Sequence, residues 1–351
     1  MFFSGCVQKQ NWSHECRFDS NYHYIVPEFS EDTDFKLIYN KPLSEYKEAK
    51  SIGITTRPVI IGPISFLTLG KKTMTARPDF SPISLLPKLI PVYQQLLREL
   101  KIEGVDSVQV DEPVLVLDSA TALEEQYIQT FHQLASGSPN IILTTYFARL
   151  GSSVRFIAQL PVYGLHIDLD RAPDQLDHVV DAVKNTDMVL SLGLISGRNV
   201  WKTDLEAVVK VGQKAVTILG EHRVLISTSS SLVHIPVTLD LETKLTKEER
   251  DWFSFAVEKV REVAVVGWVL SGSWDEDVVQ AMEANRKAIT LRREFEKNHE
   301  DVQVGRRVQE IGPEMMNRKS PFFHRRGVQK VNLGLPKFPT TTLGSYPVRC
   351  C

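Results

Sequence analysis

Two adjacent carboxylates, Asp111 and Glu112, close the apolar run VDSVQV and are followed at once by Pro113. A pair of acids in that position has the chemistry to hold an amino group or to act as general acid and base. It equally has the chemistry to accept backbone N–H groups from neighbouring loops, and the residue types leave both readings open. His166 and Asp168 alternate within LHIDLD, so they face the same side of an extended chain. With His234 they would supply two imidazoles and a carboxylate to a metal, but HxD is common on strands and no further close ligand set accompanies it. Ser227 to Ser231, with Thr228, resembles a phosphate cradle only loosely, because it lacks glycine. Asn21, Tyr22, His23 and Tyr24 gather amide, phenol and imidazole groups ahead of Pro27 and Glu28. They read either as a polar-ligand site or as a satisfied structural cluster. There is no GxSxG elbow and no glycine-rich dinucleotide loop.

These groups need a scaffold, and the chain repeats one. Apolar runs at 57–63, 105–113, 140–147, 162–170, 188–199 and 222–231 end in polar residues and are separated by helix-length segments. Parallel strands require such crossovers, so the alternation predicts an α/β fold of the (β/α)8 barrel type, whose function sits at the C-terminal strand ends. About six βα units are present, so the barrel is expected to be incomplete. The first confident buried strand is read as Arg57 to Leu67. Helices are expected near 41–50, 82–100, 121–134, 154–160, 172–184, 204–219, 247–270 and 276–297. Leu85, Leu86, Leu89, Tyr93, Leu96, Leu97 and Leu100 mark the second by their helical spacing, and Gly104 ends it. Residues 1–17 show no clear period. Residues 299–337 are basic, contain Gly and Pro, and read as a linker by composition. FPTTTLGSYP, Phe338 to Pro347, again resembles a strand with a polar end.

Composition bounds the function classes. The chain has 351 residues, 42% hydrophobic and 24% charged, as expected of a globular protein with a sizeable core. A formal charge of −2 provides no footprint for nucleic acid or an anionic membrane surface. No apolar stretch is long enough to span a bilayer, and the N-terminus lacks the pattern of a signal peptide. All four cysteines lie near the ends, at Cys6, Cys16, Cys350 and Cys351, so the central region offers neither a disulfide framework nor a thiolate metal site. A cytoplasmic, reducing compartment is the expectation.

Taken together, NYHYIVPEF, RPVIIGPISFLTLGK, LLPKLIPVYQQLL, VQVDEPVLVLD, LTTYFARL, GLHIDLDRAPDQLD, LGLISGRNVWKTDLE, SLVHIPVTLDLETKL and FPTTTLGSYP resemble one family. It is the cobalamin-independent methionine synthases, the 5-methyltetrahydropteroyltriglutamate–homocysteine methyltransferases. The resemblance runs in order from Phe18 to Pro347. It implies a tandem of two (β/α)8 barrels, the second holding a zinc ion that keeps the homocysteine sulfur as thiolate. On that basis residues 18–297 are expected to be a partial N-terminal barrel and 298–337 an interdomain linker. Residues 338–351 would be the start of the catalytic barrel, and 1–17 an unmatched segment.

The resemblance further implies that Asn21 contacts the polyglutamate tail of the folate, and that Leu343, Gly344 and Ser345 contact homocysteine or methionine. Leu343 stands where the family has Ile. The zinc ligands would lie outside this chain, so neither a metal ligand nor a catalytic residue is assigned within it. Thr144, Asp168 and Ser230 stand near the strand-end positions where ligands would otherwise be expected. The implied partners are the folate, homocysteine and a separate C-terminal half. Departures at His14 to Phe18 and at Val348 to Cys351 make the chain read as truncated at both ends, with a catalytically inactive folate-binding or interaction module as the alternative function.

Overall fold

A computed structural model describes residues 12–16 and 23–340. The chain divides into two units, 1–292 and 293–351.

In the first unit, β1 (Trp12–Cys16) and β2 (His23–Phe29) pair antiparallel. The first lies inside the segment for which the sequence offers no period. After α1 (Lys41–Ser51), capped by Asn40, comes β3 (Val59–Ile61). The strand expected to run to Leu67 stops there, and the chain turns into α2 (Pro63–Leu69). Pro63 occupies the first helical turn, where its missing N–H costs nothing and its fixed φ suits a helix. β4 (Lys71–Lys72) then runs parallel to β2, making a small sheet of order β1-β2-β4. Gly70 is required at that junction because a Cβ would strike the ring of buried Phe29, which also packs edge-on against Phe66 at 5.6 Å.

Among the described residues the main sheet contains six strands. α3 (Leu86–Ile102) buries the apolar stripe read from its sequence, and Gly104, at φ +86°, turns the chain into β5 (Ser107–Asp111). There follow α4 (Glu124–Ala135), β6 (Asn140–Thr144), α5 (Val154–Ile157), β7 (Gly164–Asp168), α6 (Leu176–Val183) and β8 (Val189–Ile195). Next come α7 (Leu205–Leu219) and β9 (Val224–Thr228). The order β3-β5-β6-β7-β8-β9 is parallel throughout, and the barrel is not closed. Val108, Val110, Leu143, Leu165, Ile167, Leu190 and Leu192 are buried and join the helix residues in one core. β9 is half-buried along its length, as befits a sheet edge.

The single helix expected over 247–270 is two. α8 (Lys247–Trp252) starts at a capping box between Thr246 and Glu249, and α9 (Ala256–Leu270) begins after an extended break. The break is set by tertiary pairing: Phe253 bridges Trp201, and the Ser254 N–H donates to the Val200 carbonyl at 2.8 Å. α10 (Glu276–Asn298) follows, and the boundary between the units falls within it.

In the second unit, α11 (Val302–Gln309) is capped by Asp301, and α12 (Phe322–Leu333) ends at Gly334 in the left-handed region. Local capping therefore makes helices where composition reads as linker, although neither helix buries a residue.

Candidate functional site at the C-terminal strand ends

Strand register assembles the site. Asp111 lies opposite Thr144, Thr144 opposite His166, and His166 opposite Ser191. Partners in a ladder share a face, so these four form one polar rung. It lies on the inner face, opposite the side where Val110, Leu143, Leu165 and Leu190 join the core.

At one end of the rung, Asp111 Oδ1 accepts from Gln109 Nε2 at 2.8 Å and from the Tyr146 hydroxyl at 3.0 Å. Burial pushes the carboxyl up to about 6, and these two hydrogen bonds oppose the rise. Farther along, His166 Nδ1 lies 3.0 Å from Ser191 Oγ, and burial lowers the imidazole to about 4, so it is neutral at pH 7. The Tyr146 ring spans the gap, 5.8 Å from that of His166. The arrangement can hold a polar ligand by hydrogen bonding and offers a carboxyl whose charge changes near neutrality.

Glu112 has a different role from its neighbour. Successive strand residues point to opposite faces, which sends it into the core, fully buried. Its carboxylate accepts from the Ile64 N–H at 3.1 Å, the Ser65 N–H at 2.9 Å, the Ser65 hydroxyl at 2.6 Å and the Tyr127 hydroxyl at 3.1 Å. It therefore caps the N-terminus of α2. Burial raises it to about 7 against those bonds. The choice left open by the sequence resolves differently for each acid: Glu112 serves backbone amides, and Asp111 faces the mouth.

Asp168 is also committed. It accepts from the Phe147 N–H at 2.9 Å, the Asp170 N–H at 3.0 Å and the Arg171 N–H at 2.9 Å, and burial raises its pKa. Phe147 is held at φ +73°, a left-handed conformation that costs a non-glycine residue about 1–3 kcal/mol. Its ring lies 5.3 Å from the Arg198 guanidinium and 6.3 Å from the His234 ring.

Two serines of the loop after β9 accept from backbone amides, while the Ser230 hydroxyl is buried without a hydrogen-bond partner. Ser229 Oγ accepts from the Gly197 N–H at 3.1 Å, and Ser231 Oγ accepts from the Val233 N–H at 3.3 Å. Among the described residues no three His, Cys, Asp or Glu side chains group as metal ligands. At the strand-end positions where ligands would otherwise be expected, Asp168 is spent on three amides and Thr144 and Ser230 offer only hydroxyls, so these residues do not fit a zinc ion. Asn21, Leu343, Gly344 and Ser345 lie outside the described residues.

Sequence reading missed Lys259 and Glu262, which an amphipathic helix would normally leave in water. Both are buried on α9 beneath the loop after β8. Lys259 Nζ donates to the Trp201 carbonyl at 3.0 Å, and Glu262 Oε1 accepts from the Thr203 N–H at 3.3 Å. Burial lowers the lysine and raises the glutamate, while their mutual attraction opposes both shifts. The sequence carries no signal for this pair, because the loop it supports is distant in the chain.

A parallel α/β sheet of (β/α)-barrel type with a polar rung at its C-terminal mouth defines the structural class. Two solved structures share the fold at TM-scores above one half. One is a B12-independent methionine synthase from Shewanella sp. W3-18-1 in complex with selenomethionine, with TM-score 0.57, 13% identity and 77% of each chain covered. The other is a methyltransferase from Methanosarcina mazei, with TM-score 0.52, 9% identity, and 75% of this chain and 76% of that one covered. Residues 6–219 match the model of the cobalamin-independent synthase N-terminal domain, and the chain belongs to that family. It is 46% identical over 334 residues to the 5-methyltetrahydropteroyltriglutamate–homocysteine methyltransferase of Candida albicans, covering 94% of this chain and 43% of the relative. The Saccharomyces cerevisiae enzyme of the same name is 45% identical, with 94% of this chain and 42% of the relative covered. The chain thus spans less than half the length of the curated relatives it matches.

Proposed function

We propose that this chain serves methionine synthesis by methyl transfer from 5-methyltetrahydropteroyltri-L-glutamate to L-homocysteine. It would contribute folate-tail and homocysteine contacts rather than the metal centre. The observation that carries this reading is the 46% identity to a relative of that name, sustained over 94% of the chain. In this reading Asn21 meets the folate tail, while Leu343, Gly344 and Ser345 meet homocysteine. Residues 18–297 form the partial barrel, 298–337 connect, and 338–351 enter the second barrel. The partner is a separate C-terminal half, which would carry the zinc, and the setting is the cytoplasm. No helix among the described residues is long and apolar enough to cross a membrane.

A second reading is a catalytically inactive module that binds folate or a partner; the lack of grouped metal ligands among the described residues is common to both readings. One assay separates the two. Purified chain is supplied with both substrates, alone and together with the C-terminal half of the Candida albicans relative, and methionine is measured. Activity only in the mixture supports the first reading. Inactivity in both, with the triglutamate folate still bound, supports the second.

A further inference from the structure

The Asp111 carboxylate is fixed in the mouth by neutral groups alone. Gln109 and Tyr146 both donate to its Oδ1, and no cation is among the described groups that set its charge state. Gln109 Nε2 also lies 2.6 Å from the Tyr146 hydroxyl, so the three side chains hold one another in place. All three are half-buried rather than sealed, which leaves the acid reachable from the open side. A carboxylate drawn partly out of water attracts an incoming cation more strongly than a solvated one does.

Phe147 extends the wall beside it. Neighbouring residues of an extended chain point to opposite sides, but the left-handed backbone at Phe147 brings its ring to 5.6 Å from the Tyr146 ring. The acid is bonded to the first ring, and the Arg198 guanidinium rests on the second at 5.3 Å. Two further polar atoms here have no hydrogen-bond partner among the described residues, His166 Nε2 and Ser230 Oγ, on side chains 4% and 2% exposed. Groups so buried are almost always paired. Both lie toward the C-terminal end of β8: a Cβ on Gly193 would be 3.0 Å from His166 Cε1, and one on Gly197 would be 2.7 Å from Ser230 Oγ. The Ser230 hydroxyl therefore sits beside the residue that precedes Arg198.

We propose that this mouth binds a zwitterion of the amino-acid class, with its ammonium on Asp111, its carboxylate at Arg198 and the Ser230 hydroxyl, and its carbon skeleton over the Tyr146 and Phe147 rings. Charge-assisted hydrogen bonds at both ends and an apolar wall between them are the ordinary make-up of a small-molecule site. A simple amine would leave Arg198 and Ser230 unused, and a simple carboxylate would meet Asp111. None of these residues is among those assigned above to homocysteine.

The test presents the full chain at neutral pH with an equimolar mixture of the standard amino acids. Saturation-transfer NMR reads which of them bind, and calorimetry gives the Kd of each binder. The parent is expected to bind at least one. Asp111→Asn, which keeps the volume and an oxygen for both donors, and Arg198→Met, which leaves the Asp111 hydrogen bonds intact, are each expected to weaken it by about tenfold or more. Circular dichroism establishes that the variants are folded, and Arg198→Met decides alone if Asp111→Asn is not. Methylamine and acetate are expected not to compete at equal concentration. No amino acid bound by the parent, an unchanged Kd in either folded variant, or equal competition by methylamine or acetate would each overturn the proposal.

Discussion

Gly62 and Glu112 share one space: a Cβ on Gly62 would overlap the Glu112 carboxylate, which lies against the backbone at the start of α2. The glycine in RPVIIGP and the acid in VDEP are thus two halves of one joint between neighbouring βα units. Gly62→Ala is expected to destabilise the fold by about 1–3 kcal/mol through overpacking. Urea denaturation followed by circular dichroism measures it.

Replacing the acid tests the other half. Glu112→Gln keeps the volume but supplies one carbonyl oxygen where two carboxylate oxygens serve four donors. A loss of about 1–3 kcal/mol is expected, the scale of a buried donor left unsatisfied. An unchanged midpoint and slope in denaturant would show that the carboxylate does not cap α2.

The pH dependence of stability has a defined sign. Folded Glu112 titrates at about 7 against an ordinary 4.5, and Asp111 at about 6 against 3.8. Between those values the folded state holds protons the unfolded chain has lost, so their contribution is full at low pH and is lost as pH rises through the folded values. His166 acts in the opposite direction: at about 4 against 6.5, its contribution is present above 6.5 and lost as pH falls through 4. The effects oppose one another at mildly acidic pH and leave Glu112 dominant near neutrality. Wild-type stability is therefore expected to fall between about pH 6 and 7, and the Glu112→Gln variant to lack that fall. Parallel denaturation series at fixed ionic strength decide it.

Asp168→Asn puts an amide N–H₂ where one of three backbone N–H donors now points. A cost of about 1–3 kcal/mol is expected, together with faster hydrogen exchange at the Phe147, Asp170 and Arg171 amides. Exchange unchanged at all three would refute the bonding scheme.

Metal analysis gives a further expectation. The strand-end residues do not fit zinc, so purified chain is expected to carry no stoichiometric zinc and to keep its melting temperature in chelator. A zinc-dependent melting temperature would contradict this.

The alternating apolar runs made the sheet legible, because a strand buried on both faces must be almost wholly apolar, as β8 is. The paired fates of Asp111 and Glu112 were not legible, although adjacency already placed them on opposite faces. Which face held water depended on where α2 packed, and the sequence reading had carried the strand through α2. Lys259 was hidden for a similar reason, since its partner is a carbonyl 58 residues away. A local signal identified Gly104 as the end of α3. Groups satisfied by distant backbone remained out of reach.

Asp168 binds the amide of Phe147, after β6, together with those of Asp170 and Arg171, after β7. One carboxylate therefore makes two loops a single mechanical element. Opening the loop after β6 must break its bond to that carboxylate, so a protease that nicks one loop is expected to loosen the other as well.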